Sequence, residues 1–206
     1  MNDPVATSVV IPVRTFEGAK SRLGAVLDAE ERRDLVERLL RRTVAAALAT
    51  PGVTDVVVVS PDPEVLGIAS AAGARPLLQL SRGLNPALQE ARAAIRADRL
   101  LVLPADLPTV TADDLAAVLA AGDAVAAPSV VLAPDRHGRG TNALLLAPPD
   151  VIDPAFGGDS RAAHAWLASS AEAGFVEVLG VLALDIDTPD DLLLAETLHL
   201  EALRAG

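Results

Sequence analysis

The chain has 206 residues, of which 51 % are hydrophobic and 22 % charged, enough to bury a sizeable core and unlike a disordered chain. It carries 28 acidic against 17 basic side chains, a net charge of −11 that repels nucleic-acid phosphates and anionic membranes. Cysteine is absent, which excludes disulfides, thiolate nucleophiles and Cys-based metal sites; three scattered histidines argue against a zinc cage, and 2 % aromatic residues against base stacking.

The segment Met1–Ser8 has no basic stretch followed by an apolar one, so no signal peptide is expected, and no apolar run reaches transmembrane length. A cytoplasmic protein follows, with one domain spanning residues 1–206.

Short β-branched runs alternate with segments of helical period. Ser8–Val13 reads as a first strand. Ala29–Leu48 reads as a helix with Leu35, Leu39, Leu40, Val44 and Leu48 on one face. Asp55–Ser60 is a strand apolar enough to be covered on both faces. Then come a helix at Pro63–Ala72, a strand at Ala74–Leu80, a helix at Pro86–Ala97 and a strand at Leu100–Leu103. A helix at Thr111–Ala121 precedes strands at Val125–Ala133 and Asn142–Ala147, which flank a Gly/Arg-rich loop. Ser160–Ala171 is helical, Phe175–Asp185 holds strand material, and Pro189–Arg204 is the last helix. This order predicts an α/β fold with a largely parallel sheet. Ligands then belong at the carboxyl ends of strands, in the loops after Val13, Ser60, Leu80, Leu103 and Leu184. The Leu-rich last helix suits packing on the core or on a second subunit, so a homodimer stays open.

Six short strings carry candidate chemistry. Arg14, Lys20 and Arg22 put three cations just after the first strand, and Lys20 is the only lysine of the chain. An ammonium point charge beside guanidinium forks suits a phosphate chain. Neither a P-loop nor a G-x-G-x-x-G fingerprint is present, which disfavours a dinucleotide dehydrogenase. Asp106 stands between Pro104 and Pro108 beyond a buried strand, well placed for a hard cation. Asp185 and Asp187, if extended, point to one face, where a divalent cation would relieve their repulsion. Asp190 and Asp191 after Thr188-Pro189, and Asp113 and Asp114 after Thr111, read instead as helix starts.

Arg136-His137-Gly138-Arg139-Gly140-Thr141-Asn142 could wrap an anion, with His137 itself reading as a surface residue. Gly157-Gly158-Asp159-Ser160 opens a helix whose free N–H groups favour an anion, although Asp159 or Ser160 also suits an ordinary cap. Gly83-Leu84-Asn85 lets a ligand approach the backbone and offers an amide that can read a base, although Asn85 before Pro86 also suits a helix cap.

Taken in order, these strings resemble the phosphoenolpyruvate / 2-phospho-L-lactate guanylyltransferases of coenzyme F420 biosynthesis, from the first strand to the last helix. One departure is Arg14, where many relatives would have Lys; the positive charge survives. The resemblance implies a single-domain nucleotidyltransferase fold, a Rossmann-like three-layer α/β/α arrangement with a mixed, mostly parallel sheet. It implies GTP, a small phosphorylated carboxylic acid and Mg²⁺. By motif match Asp106, Asp185 and Asp187 would hold the metal, and Thr141, Gly157 and Ser160 the acceptor's carboxylate. Lys20 and Arg22 would face the triphosphate and carry the catalytic charge, and Arg14 would join them in binding the nucleotide. Gly83, Leu84 and Asn85 would meet the guanine or ribose. Phosphoenolpyruvate is the preferred acceptor by association alone, since no residue reads its difference from 2-phospho-L-lactate. The alternatives are another phosphorylated acceptor on the same fold, and a non-catalytic nucleotide-binding domain.

Overall fold

The computed structural model describes residues 5–17, 19–180 and 182–205; the first half of the Met1–Ser8 segment lies outside it. The strands are β1 (Thr7–Pro12), β2 (Val53–Ser60), β3 (Arg75–Leu78), β4 (Arg99–Val102), β5 (Ser129–Pro134), β6 (Thr141–Ala147) and β7 (Gly174–Glu177). The helices are α1 (Ala29–Ala49), α2 (Pro63–Ala71), α3 (Leu84–Ala94), α4 (Ala112–Asp123), α5 (Ser160–Ser170) and α6 (Pro189–Ala205), with one 3-10 turn at Ser21–Ala25.

The strands form one sheet in the order β3-β2-β1-β4-β6-β5-β7. Only β6 among them is antiparallel to its neighbours, Leu101 facing Leu145 and Val131 facing Leu145 from the other side. The sheet is therefore mixed and mostly parallel. The central strands β4 and β5 are buried throughout, whereas the edge strands β3 and β7 are half-buried, as sheet edges should be.

Strand alternation sends side chains to two cores. Val9, Ile11, Val58, Leu101 and Leu145 face α1, α2 and α4. Val10, Val57, Val102, Leu132 and Leu144 face α3 and α5. The result is three layers, helices on both faces of the sheet. Close layering demands a glycine at one point: a Cβ on Gly122 of α4 would stand 2.6 Å from Leu145 Cδ2. A third cluster joins the 3-10 turn, α1 and α6 through Leu23, Leu35, Leu39, Leu184, Ile186 and Ala195. So α6 packs on the core, while Leu193 and Leu198 on it remain exposed. No described helix is long and apolar enough to cross a membrane.

Several expected boundaries shift for local reasons. Leu48 lies off the buried stripe of α1 and is exposed. The strand expected to run to Leu80 ends at Leu78, and Leu80 projects into solvent. The strand expected from Val125 begins only at Ser129. The Phe175–Asp185 strand stops at Glu177, short of Gly180 at φ +80° and Leu182 at φ +58°, which no strand accommodates.

Candidate active site

Because β6 runs against the sheet, its first residues share an edge with the carboxyl ends of β1, β4 and β5. Every candidate side chain described next comes from that edge.

After β4, Leu103 continues the ladder to Val10 and Leu107 is wholly buried, so Asp106 is held between two anchored leucines. The approach to α6 alternates in burial: Leu182, Leu184 and Ile186 are buried, and Asp185 and Asp187 emerge together on the other side. The Ile186 N–H donates to the Asp106 carbonyl at 3.1 Å, which locks the two acidic segments side by side. One oxygen from each of Asp106, Asp185 and Asp187 then lies within 4.8 Å of the others.

Lys20 closes this cluster. Its Nζ donates to Asp106 Oδ2 at 2.6 Å and to Asp187 Oδ1 at 3.0 Å. The residue sits at φ 50°, in the left-handed region, immediately before the 3-10 turn. Arg22 reaches Asp187 Oδ2 only at 3.7 Å, with its side chain 74 % exposed. Arg14 is exposed just beyond β1.

Burial works against the Lys20 ammonium, but Asp106 and then Asp187 outweigh it and hold its pKa above the ordinary value. Asp185 goes the opposite way for a carboxyl. Burial, then the charges of Asp106 and Asp187, push it up, against a hydrogen bond from Asn142 Nδ2 at 3.4 Å. Three carboxylates thus cluster, and one ammonium pairs with two of them. That all-oxygen, charge-excess cluster fits a hard divalent cation, which would relieve the repulsion that raises Asp185.

The acids read as helix starts do cap helices. Thr111 and Asp114 form a reciprocal capping box at α4. Asp191 Oδ2 accepts from the Asp187 N–H, the Thr188 N–H and the Thr188 hydroxyl, and its other oxygen pairs with Arg136. Burial pushes the Asp191 carboxyl up, but these donors outweigh it and hold it below the usual range. Sequence reasoning missed the Arg136 contact, which fastens the Gly/Arg-rich loop to the start of α6.

The second group of candidates is neutral and buried. Thr141 opens β6, Ser160 opens α5, and Ser160 Oγ lies 3.0 Å from Thr141 Oγ1. A Cβ at Gly157 or Gly158 would meet nothing within 4 Å, so this turn borders open space. Asp159 takes the cap position of α5 but makes no side-chain cap hydrogen bond there. Asn142, one residue beyond Thr141, donates to Asp185, so consecutive residues at the start of β6 touch the hydroxyl pair and the acidic cluster.

The Gly83–Asn85 string meets this turn from the other side. Gly83, at φ +103°, is the cap of α3, and the helix begins at Leu84, so Asn85 is not a cap. Instead Asn85 Nδ2 donates to the Phe156 carbonyl at 3.0 Å, and Oδ1 accepts the Phe156 N–H at 2.8 Å. The loop before α3 is thereby bound to the residue preceding Gly157. His137 is exposed. His164, which no sequence signal singled out, lies wholly buried behind Thr141.

Comparisons with known proteins give the family and the fold. The family described as "Guanylyl transferase CofC like" matches residues 7–202. A phosphoenolpyruvate guanylyltransferase of Sphaerobacter thermophilus is 47 % identical over 192 residues, 91 % of this chain and 91 % of that protein. One from Rubrobacter xylanophilus is 46 % identical over 89 % of this chain and 90 % of its own. Among solved structures, a nucleotidyl transferase from Methanothermobacter thermautotroptrophicus aligns at a TM-score of 0.69 with 16 % identity, over 96 % of this chain and 99 % of that one. A CMP:2-keto-3-deoxy-manno-octonic acid synthetase complexed with CTP aligns at 0.68, also with 16 % identity, over 96 % and 99 %. These two likenesses establish the nucleotidyltransferase fold.

Proposed function

The chain belongs to the CofC-like guanylyl transferase family, and from that membership we propose that it joins the GMP unit of GTP to the phosphate of phosphoenolpyruvate in coenzyme F420 biosynthesis. An acceptor phosphate oxygen forms a bond to the α-phosphorus of GTP. The bond from that phosphorus to the α,β-bridging oxygen breaks, and pyrophosphate leaves. The nucleophile is already ionised near neutral pH, so no general base is required. What the site must do is bring two anions into line and offset their charge.

Asp106, Asp185 and Asp187 would hold Mg²⁺. When bound, it neutralises phosphate oxygens and aligns the reacting groups. Lys20 and Arg22, with Arg14 further out, supply positive charge where the triphosphate arrives, and Lys20 stays protonated because two carboxylates face it. Gly83, Leu84 and Asn85 border the guanosine. Thr141, Gly157 and Ser160 receive the acceptor's carboxylate. The single domain of residues 1–206 then carries the whole site, and its phosphorylated metabolite substrates suit the cytoplasm.

The observation that carries this reading is the pair of contacts made at the start of β6. Asn142 contacts Asp185 while its neighbour Thr141 contacts Ser160, so the start of β6 touches both the acidic cluster and the hydroxyl pair, which supports reading them as two parts of one site.

The test is product analysis by mass spectrometry with pyrophosphate release, using GTP, Mg²⁺ and phosphoenolpyruvate. The expected product is a guanosine diphosphate ester of enolpyruvate, formed with one pyrophosphate. Faster release with 2-phospho-L-lactate would reassign the acceptor, faster release with ATP would reassign the nucleotide, and GTP binding with no release would favour a non-catalytic domain.

A further inference from the structure

His164 is wholly buried on α5, one helical turn beyond Ser160. Both its ring nitrogens are engaged. Nε2 lies 2.9 Å from the Ala155 nitrogen, whose N–H can only donate, so Nε2 is the accepting, hydrogen-free nitrogen. The hydrogen of the neutral ring therefore sits on Nδ1, 3.1 Å from Thr141 Oγ1, and Nδ1 donates there. The Phe156 ring meets the imidazole edge-on, with centroids 5.0 Å apart at 71°, which holds the ring plane. Burial keeps the imidazole neutral, its pKa lowered to about 4.

This fixes the polarity of the hydroxyl pair. Thr141 Oγ1 receives the Nδ1 hydrogen. Thr141 and Ser160 hold two hydroxyl hydrogens between them, and only one of these can lie between their oxygens. The other has no acceptor within the trio and is offered outward. The pair therefore presents a surplus donor, which welcomes a carboxylate. Were the hydrogen on Nε2 instead, it would collide with the Ala155 N–H.

We propose that His164 is a positioning residue for the acceptor: by donating from Nδ1 to Thr141 it sets the Thr141–Ser160 pair as an outward hydrogen-bond donor to the acceptor's carboxylate. This rests on the reading of that pocket as the carboxylate site. The rival role for His164 is simply to anchor the loop at Ala155, and two substitutions separate the roles. In His164→Asn the amide nitrogen replaces Nδ1, keeping the donor to Thr141 and losing the acceptor for Ala155. In His164→Gln the terminal amide lies near Nε2, keeping the Ala155 anchor and losing the donor.

Steady-state pyrophosphate release is measured on both variants, with KM for phosphoenolpyruvate and for GTP read separately. His164→Gln is expected to raise KM for phosphoenolpyruvate about tenfold, in line with a lost hydrogen bond to a charged group, and to leave KM for GTP unchanged. His164→Asn is expected to recover most of that loss. Greater damage in His164→Asn would assign His164 to loop anchoring and overturn the proposal, and equal damage in both would overturn it too. Thr141→Val separates the two layers. If it leaves KM for phosphoenolpyruvate unchanged, the carboxylate pocket itself is misread and the proposal falls with it. If it raises that KM while His164→Gln does not, only the role of His164 fails. Nitrogen-15 NMR of the wild-type imidazole needs no variant: a protonated Nδ1 and bare Nε2 are expected, and the opposite tautomer would contradict the proposal.

Discussion

The acidic cluster and the hydroxyl pocket lie side by side, yet they are built on opposite principles. The cluster is charged and partly open: Asp106 and Asp187 are 27 % and 48 % exposed, and only these two of its three carboxylates pair with the Lys20 ammonium. The pocket is neutral and closed: Thr141, Ser160 and His164 are 6 %, 2 % and 0 % exposed, and Thr141 is hydrogen-bonded to both of the others. The first carries electrostatic tension that a cation would release. The second carries none and is set by hydrogen-bond polarity. On the proposed reading, charge handling and recognition of the small acid are separable, and substitutions should sort into two classes.

The largest effect should come from the charged side. Asp106→Ala is expected to cut kcat by about a thousandfold or more while the chain stays folded, since a metal supplies several kcal/mol and each tenfold is worth about 1.4 kcal/mol. Full activity at ordinary Mg²⁺, with an unchanged circular dichroism spectrum, would remove Asp106 from the metal site.

Next comes an acid limb of stability from the neutral side. His164 has an ordinary pKa of 6.5 lowered to about 4 by burial, so between those values the unfolded chain binds a proton that the folded one refuses. Stability is full above 6.5 and falls as pH drops toward about 4, by roughly 3 kcal/mol in all at 1.36 kcal/mol per pH unit. Urea melts across this window should show a shallower slope in His164→Asn, and an unchanged slope would mean that the native ring titrates normally.

Ser160→Ala should act more gently, raising KM for phosphoenolpyruvate about tenfold and leaving kcat near wild type, the pattern of lost uniform binding. An increase confined to KM for GTP would mean that the two pockets are exchanged.

The smallest expected effect has the opposite sign. The Asp185 carboxyl is pushed up by burial and its acidic neighbours, so its contribution to stability is present below the unfolded pKa and lost as pH rises through the folded one. At neutral pH it burdens the metal-free fold. Asp185→Asn, which retains an oxygen for Asn142, should therefore raise Tm of the metal-free protein slightly while abolishing turnover. A lowered Tm would show that the repulsion is already relieved.

The fold was largely legible because its signals are local. β-branched runs mark the strands, and Thr-x-x-Asp boxes mark α4 and α6 within about a residue. The acidic cluster was legible in part for the same reason. Two-residue spacing puts Asp185 and Asp187 on one side of an extended segment, and prolines frame Asp106. Other features depend on contacts remote in sequence. Lys20 turns inward through a left-handed backbone that nothing in its side chain announces. Asn85 looked like a cap because Pro86 follows it, but its amide found a peptide 71 residues away. His164 read as one of three scattered histidines, because its partners come from β6 and from the turn before α5. Only the spacing of four from Ser160, one turn along a helix, hinted at it.

The division of labour is tested most directly by steady-state pyrophosphate release, with both substrates varied, on Asp187→Asn and Thr141→Val in parallel. The expected result is a collapse of kcat in Asp187→Asn, and in Thr141→Val a raised KM for phosphoenolpyruvate with kcat and KM for GTP nearly unchanged. A collapse of kcat in both, or a rise in KM for GTP in Thr141→Val, would contradict it.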